Sequence, residues 1–222
     1  MRMKKISVFA LALAASVVVV AQETHQQLRT PRTNKVQFGL DVGVNLARLD
    51  ANEGDFASGT APSTNNKTAF HVGTFVNIPI GGMVSLKPQL IYSKQGSKLR
   101  IGSTDFEEDL DYIYVAPAAL HVMTKGGFII ETGPMLGYLL SGSRENTTAN
   151  TSVDVKDARK DLDFMWSGGI GYLSRIGLGA HVRYNHGFSN VLNTDDDALQ
   201  SPGKLQNRVF QIGLMYHFGG HK

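Results

Sequence analysis

Five histidines in the body of the chain, His71, His121, His181, His186 and His217, are the side chains best suited to bind a metal or act as a base near neutral pH. Their spacing argues against both roles. No two stand at the i, i+4 interval that sets imidazoles on one helix face, and there is no HExxH. They read as structural histidines. Asp195-Asp196-Asp197 could attract calcium, but the run lacks the spaced ligands and the glycine of an EF-hand loop, so an acidic solvated loop is expected. Ser141, Ser143, Ser167 and Ser189 lie outside any GxSxG context. Gly168-Gly169-Ile170-Gly171 superficially resembles a nucleotide loop, yet no helix and no Lys-Ser/Thr follow it, which leaves glycines that let a strand pack and bend. Asn146-Thr147-Thr148 and Asn150-Thr151-Ser152 fit the glycosylation acceptor pattern and read as polar loop. With no cysteine, thiol catalysis, iron–sulfur clusters and Cys-ligated zinc are excluded. The expectation is therefore no catalytic, cofactor-binding or metal-binding residue.

The elements that carry these residues follow from composition and patterning. The 222 residues fit one domain or at most two, and the mean hydropathy of −0.12 excludes a polytopic helical membrane protein. Arg2, Lys4 and Lys5 precede an apolar run, Ile6 to Val20, and Val19-Val20-Ala21 offers small residues for cleavage before Gln22. This is the layout of a secretory signal peptide over residues 1–21. Residues 22–35 read as a flexible N-terminal segment. Losing Arg2, Lys4 and Lys5 reduces 22 Lys+Arg to 19, against 19 Asp+Glu, so the mature chain is formally neutral. The basic balance that could have pointed to nucleic acid disappears, and no such partner is expected.

The rest of the chain alternates with period 2, as strands with two unlike faces do. At the C-terminus Phe210, Ile212, Leu214, Tyr216 and Phe218 share one face, opposite Asn207, Gln211, Gly213 and His217. The same alternation recurs from Val36 to Leu46, Phe70 to Ile78, Val84 to Tyr92, Phe128 to Leu140, Leu162 to Tyr172 and Ile176 to Tyr184. The segment Leu110 to Met123 is apolar on both faces. There Tyr112, Tyr114, Leu120 and Val122 are assigned outward and His121 inward. Eight strands result. Tight turns at Gly81-Gly82, Lys125-Gly126 and Ser174-Arg175 alternate with longer polar loops at about 50–67, 98–109, 142–160 and 190–204. This is the connectivity of an eight-stranded antiparallel up-and-down β-barrel.

Two barrels fit the alternation: a soluble one with its apolar face around a ligand, and a transmembrane one with that face toward lipid. The apolar-alternating stretches run about 10–14 residues, and a tilted bilayer crossing needs about 9–11. The polar faces are rich in Gly, Ser, Asn and Gln and hold few charges: Asp41, Lys87, Glu131, Asp163 and Arg183. That near-balanced set suits a crowded interior better than a wetted surface. Tyr92, Tyr114, Tyr138, Tyr172 and Tyr216 are candidates for the aromatic girdles of a membrane barrel. The transmembrane reading is favoured, with the five charges as structural residues of the lumen.

Several of these strands also carry familiar short motifs. Gly43-Val44-Asn45-Leu46 and Leu86-Lys87-Pro88-Gln89-Leu90-Ile91-Tyr92-Ser93 resemble the first and third strands of the PorT-like outer-membrane β-barrel family of Bacteroidetes. Tyr112-Ile113-Tyr114-Val115-Ala116-Pro117 resembles its fourth strand with one inserted residue, and Glu131-Thr132-Gly133-Pro134 its fifth. Asp163-Phe164 with Gly168 to Gly171, Arg183 to Asn190, and Asn207 to Gln211 resemble its sixth, seventh and eighth. Gln89 stands where that family often has Glu. The resemblance spans about Val36 to Phe218 and implies an all-β, eight-stranded barrel in the outer membrane, over residues 36–219. It does not fix an activity. The founding member is linked to a protein-secretion system. The expected partners are outer-membrane lipid, the outer-membrane assembly machinery that reads an outward terminal Phe, and a protein met through the long loops. The chain is expected to be a monomer and not an enzyme, with a filled polar lumen. An accessory of a secretion or assembly system and a soluble periplasmic ligand-binding barrel are the alternatives.

Overall fold

The computed structural model describes residues 35–51, 63–101, 104–149, 151–192 and 204–218. The signal peptide, most of the N-terminal segment, Asp195 to Asp197, and the middles of the first and last long loops lie outside the described residues. Twelve β-segments follow one another: β1 (Gln37–Ala51), β2 (Ser63–Asn65), β3 (Lys67–Gly81), β4 (Val84–Leu86), β5 (Gln89–Ile101), β6 (Thr104–Ala116), β7 (Leu120–Met123), β8 (Phe128–Asn146), β9 (Thr151–Asp154), β10 (Leu162–Leu173), β11 (Leu178–Gly187) and β12 (Leu205–Phe218).

They make eight walls of one closed antiparallel barrel. β2 continues into β3, β4 into β5 and β6 into β7, and β9 pairs β8 outside the ring. The ring runs β1–β3–β5–β6–β8–β10–β11–β12 and back to β1. The closing pair is the longest register in the ring, from Phe38↔Phe218 to Ala51↔Leu205. Closure leaves no unpaired wall, which a sheet in lipid requires. Two of the three breaks within walls, at Pro88 and Pro117, fall at prolines, which lack the N–H a ladder needs; the third falls at Asn66. At Pro88 the ladder survives because Lys87 N–H donates to Ala119 O (2.8 Å) and Val76 N–H donates to Pro88 O (3.0 Å). The three tight turns sit at one rim. Each uses a glycine with positive φ, Gly82 (58°), Gly127 (91°) and Gly177 (85°), where a side chain would be strained.

The faces settle the orientation of the barrel. Phe38, Leu40, Val42, Val44 and Leu46 of β1 are exposed, as are Phe210, Ile212, Leu214, Tyr216 and Phe218 of β12. The intervening Asp41, Asn45, Gln211 and His217 are buried. The same holds around the ring, so the apolar face is outside and the polar face inside. A soluble ligand-binding barrel requires the reverse. On β1 and β12 the apolar belt ends at Leu46 and Phe210, and the next outward pair is Arg48↔Arg208. Tight turns then mark the periplasmic rim and the longer connections the extracellular one.

Two expectations need correction. Tyr112 and Tyr114, assigned outward, are fully buried in the lumen. The reason lies across the strand. Tyr114 faces Gly137, and a Cβ there would collide with the tyrosine ring. A one-residue shift follows at Pro117: inward positions are Leu110, Tyr112, Tyr114 and Ala116 before it, and Ala119 and His121 after it. Leu120 does face outward and His121 inward. The second correction concerns the loops. The stretch 98–109 is mostly strand, because β5 and β6 run on as a hairpin with Lys98↔Glu107 and Arg100↔Asp105 in register. Opposite charges facing one another stabilise such a ladder. Likewise β8 extends to Asn146 and pairs with β9, so 142–160 is partly sheet.

Candidate functional site

The inward side chains fill the barrel in layers. At the periplasmic end Phe75, Ile129, Leu173 and Met215 form a small apolar cluster, with the Phe75 and His217 rings 4.7 Å apart. Above it lies an ion network. Lys87 Nζ, with its side chain 0% exposed, donates to Glu131 Oε2 (3.0 Å) and lies 4.3 Å from the Phe75 ring centre. Arg183 donates to Glu131 Oε1 through Nη2 (2.6 Å) and Nε (3.0 Å), and its Nη2 lies 3.4 Å from Asp41 Oδ2. His121 Nδ1 lies 3.4 Å from Glu131 Oε2. Two carboxylates thus face two permanent cations, which a buried cluster needs if none of its charges is to be stranded.

Of the five charges picked from the sequence, the fold brings Asp41, Lys87, Glu131 and Arg183 together. Asp163 stands apart, one layer higher. There Tyr114 Oη and Asn207 Nδ2 both donate to Asp163 Oδ2, each at 2.8 Å. The inward turn of Tyr114 is what supplies this partner. Beside these groups, Asn45 Nδ2 donates to Phe70 O (3.0 Å), Ser93 Oγ (3.0 Å) and Lys94 O (2.8 Å). Its Oδ1 receives Gln211 Nε2 at 2.9 Å. The histidines divide. His71, His121, His181 and His217 are buried inside, whereas His186 stands at the outer rim against the Tyr184 and Phe188 rings.

The extracellular half holds an apolar core that includes Leu49, Leu110, Leu139, Val191, Leu192 and Val209. Val191 and Leu192 come from the connection after β11, and Val155 from the one after β9, so these connections fold inward over the mouth. They are fastened by Arg159, which donates to Glu108 Oε1 (2.7 Å) and Oε2 (2.8 Å); Arg144 Nη2 adds a third bond at 3.1 Å. The flanking outward residues Glu107 and Asp109 bind Lys67 at 2.9 and 2.7 Å, which sets this level above the lipid. Burial by itself would raise the Glu108 carboxyl. The two arginines outweigh it and hold the group below its ordinary value. This clasp was missed in the sequence because 98–109 and 142–160 read as loops, where inward and outward have no meaning. Glu107, Glu108 and Asp109 are all acidic, so no alternation marks Glu108 as the inward member.

A closed antiparallel barrel with a lipid-ready outer face and a charged, packed interior defines the class: a transmembrane β-barrel of the outer membrane. The chain belongs to the outer membrane protein beta-barrel domain family, whose model matches residues 20–193. No curated protein matches it in sequence. Among solved structures it is similar to Ail, the attachment invasion locus protein of Yersinia pestis, crystallised with the heparin analogue sucrose octasulfate. The TM-score is 0.51 and the identity 11%, over 83% of this chain and 99% of that one. It is also similar to Neisserial surface protein A (TM-score 0.49, 11% identity, 83% and 99% covered). A third similar structure is OprG of Pseudomonas aeruginosa (0.42, 12%, 84% and 98%). At these identities the similarity is one of fold. The protein is a β-barrel of the cell outer membrane.

Proposed function

We propose that this is a non-enzymatic outer-membrane barrel with a filled lumen, acting structurally or through its extracellular connections and not as a pore. The observation that carries the reading is the occupancy of the interior. Lys87, Glu131, Arg183 and Asp41 span the middle of the barrel, and the Val155, Val191 and Leu192 plug closes its outer half under the Arg159–Glu108 clasp. An eight-stranded interior is just wide enough for side chains to fill. The five lumen charges are read as structural: they bond one another and the buried side chains of His71, His121, His181, Tyr114 and Asn207. Export through a signal peptide cleaved before Gln22, and an outward Phe218 presented to the assembly machinery, complete the reading.

The test is conductance. The purified chain, refolded into a planar bilayer, should give no stable open steps. Sustained ohmic channels would overturn the filled-lumen reading. A narrower affiliation, to PorT-like barrels with an accessory role in secretion or assembly, is favoured by one observation. Three motif stretches that carry the resemblance supply Lys87, Glu131 and Arg183, which here form one network. Mild-detergent extraction should then recover the barrel with a stoichiometric envelope partner. Recovery as a lone monomer would favour the loop-mediated or purely structural role.

A further inference from the structure

Among the described residues, Asp41, His71 and His181 are the one group of three whose ligand atoms all lie within 4.8 Å of one another, and all three are buried. They come from three walls. His71 (β3), Gly43 (β1), Gly213 (β12) and His181 (β11) form one cross-strand row, because His71 faces Gly43, Gly43 faces Gly213 and His181 faces Gly213. Asp41 stands two residues along β1. The glycines make the convergence possible. A Cβ at Gly43 would meet His71 Cε1 at 2.7 Å, and one at Gly213 would meet His181 Nε2 at 2.5 Å and His71 Nε2 at 3.2 Å. Both imidazoles lean over this gap and aim Nε2 at Asp41 Oδ1, each at 3.0 Å.

The hydrogen bonds around His71 sharpen the point. Its Nδ1 lies 2.7 Å from Asn45 Oδ1. Asn45 cannot be turned round, since its Nδ2 already donates to Phe70 O and Lys94 O. Nδ1 is therefore the protonated nitrogen. In a neutral ring, Nε2 then turns a lone pair on the Asp41 carboxylate. Either a second proton or a metal cation must lie between them. A ligating histidine fixed by a hydrogen bond at its other nitrogen is the usual support of a metal site. Two imidazoles with one carboxylate are a ligand set for divalent zinc, cobalt and similar ions. Both imidazoles meet at Asp41 Oδ1, His181 Nε2 also lies 3.0 Å from Oδ2, and Arg183 Nη2 approaches Oδ2 only at 3.4 Å.

We propose that Asp41, His71 and His181 bind one divalent transition-metal ion, with zinc as the type case, which ties β1, β3 and β11 together inside the barrel. The ion is structural, so the inference accords with a non-enzymatic barrel but does not depend on it. The charges of Asp41, Glu131, Lys87 and Arg183 already cancel. The added charge opposes occupancy, and the ion needs neutral imidazoles, so binding weakens as the pH is lowered.

The ion is best introduced during folding, since the site is buried. The untagged mature chain is refolded from urea into detergent with equimolar Zn²⁺ or Co²⁺, freed of loose metal by gel filtration, and analysed for metal content. Heat-dependent gel mobility verifies folding in every sample. About one equivalent is expected in the wild type and at least a fivefold loss in His181→Gln, the ligand with the fewest other bonds. Folded wild type without metal, or equal retention in the variant, overturns the proposal. Zinc-edge X-ray absorption of the wild type serves if the variant does not fold. Two imidazoles in the shell support the site, and one or none refutes it.

Discussion

Replacing Lys87 with methionine removes one charge from the lumen network while nearly keeping the shape of the side chain. Lys87 is fully buried, and its ammonium has three neighbours: Glu131 Oε2 at 3.0 Å, the Phe75 ring at 4.3 Å and Met215 Sδ at 3.9 Å. Breaking a buried ion pair by removing one partner costs about 3–5 kcal/mol, because the remaining charge is left without compensation. Glu131 is not wholly abandoned, since Arg183 still gives it bonds of 2.6 and 3.0 Å. The expected cost is therefore at the low end, about 3 kcal/mol, or roughly a hundredfold in the folding equilibrium. With a urea slope of about 1–3 kcal/mol/M, the midpoint should fall by about 1–3 M. The only tryptophan, Trp166, is 47% exposed on the outward face of β10, so its fluorescence in detergent or lipid reports unfolding. The double variant Lys87→Met with Glu131→Gln restores neutrality, because Arg183 keeps Asp41. It should cost less than the two single changes added together, by about 2 kcal/mol or more. A midpoint unmoved by Lys87→Met, or strict additivity in the double variant, would refute the network argument.

Three further outcomes are expected. Arg183→Met should cost more than Lys87→Met in the same urea assay, because it takes a partner from both Glu131 and Asp41. The Glu108 carboxyl is held below its ordinary value of 4.5 in the folded state, so its contribution is present above about pH 4.5 and is lost as the pH falls through the lowered value. Glu108→Gln should flatten that acid loss; hydrogen exchange of 155–160 against pH measures it, and an unchanged profile would count against the clasp. Gly137→Ala puts a methyl against the Tyr114 ring, and overpacking of this kind costs about 1–3 kcal/mol. A neutral Gly137→Ala, read by urea titration, would contradict the inward placement of Tyr114.

The eight walls and their facing were legible because lipid and lumen impose opposite chemistry on alternate residues, and each strand records that requirement locally. Phe38 to Leu46 and Phe210 to Phe218 display it plainly. The tyrosines of β6 escaped because alternation disappears where the lumen itself is apolar. Leu110, Tyr112 and Tyr114 line an inner core, so both faces read alike. What decides the case is Gly137, a residue on another strand, whose missing side chain leaves room for the ring. The hairpin over 98–109 was hidden for a related reason. Above the bilayer both faces of a strand meet water or charge, and nothing in the local pattern separates it from a loop.

The histidines show where local reading stops. Period 2 tells which face a residue occupies, and it says nothing of height along the barrel or of what stands opposite. His71 and Asp41 are 30 residues apart in the chain, and His181 and Asp41 are 140 apart. No helical ligand spacing could record such a group. Its trace is instead the coincidence of two inward histidines with two inward glycines in one row, Gly43 and Gly213, and that row exists only once β12 has closed on β1. The same closure that removes the sheet's edges therefore also brings Asp41, His71 and His181 together. Stability of the closing pair and integrity of that cluster should rise and fall together.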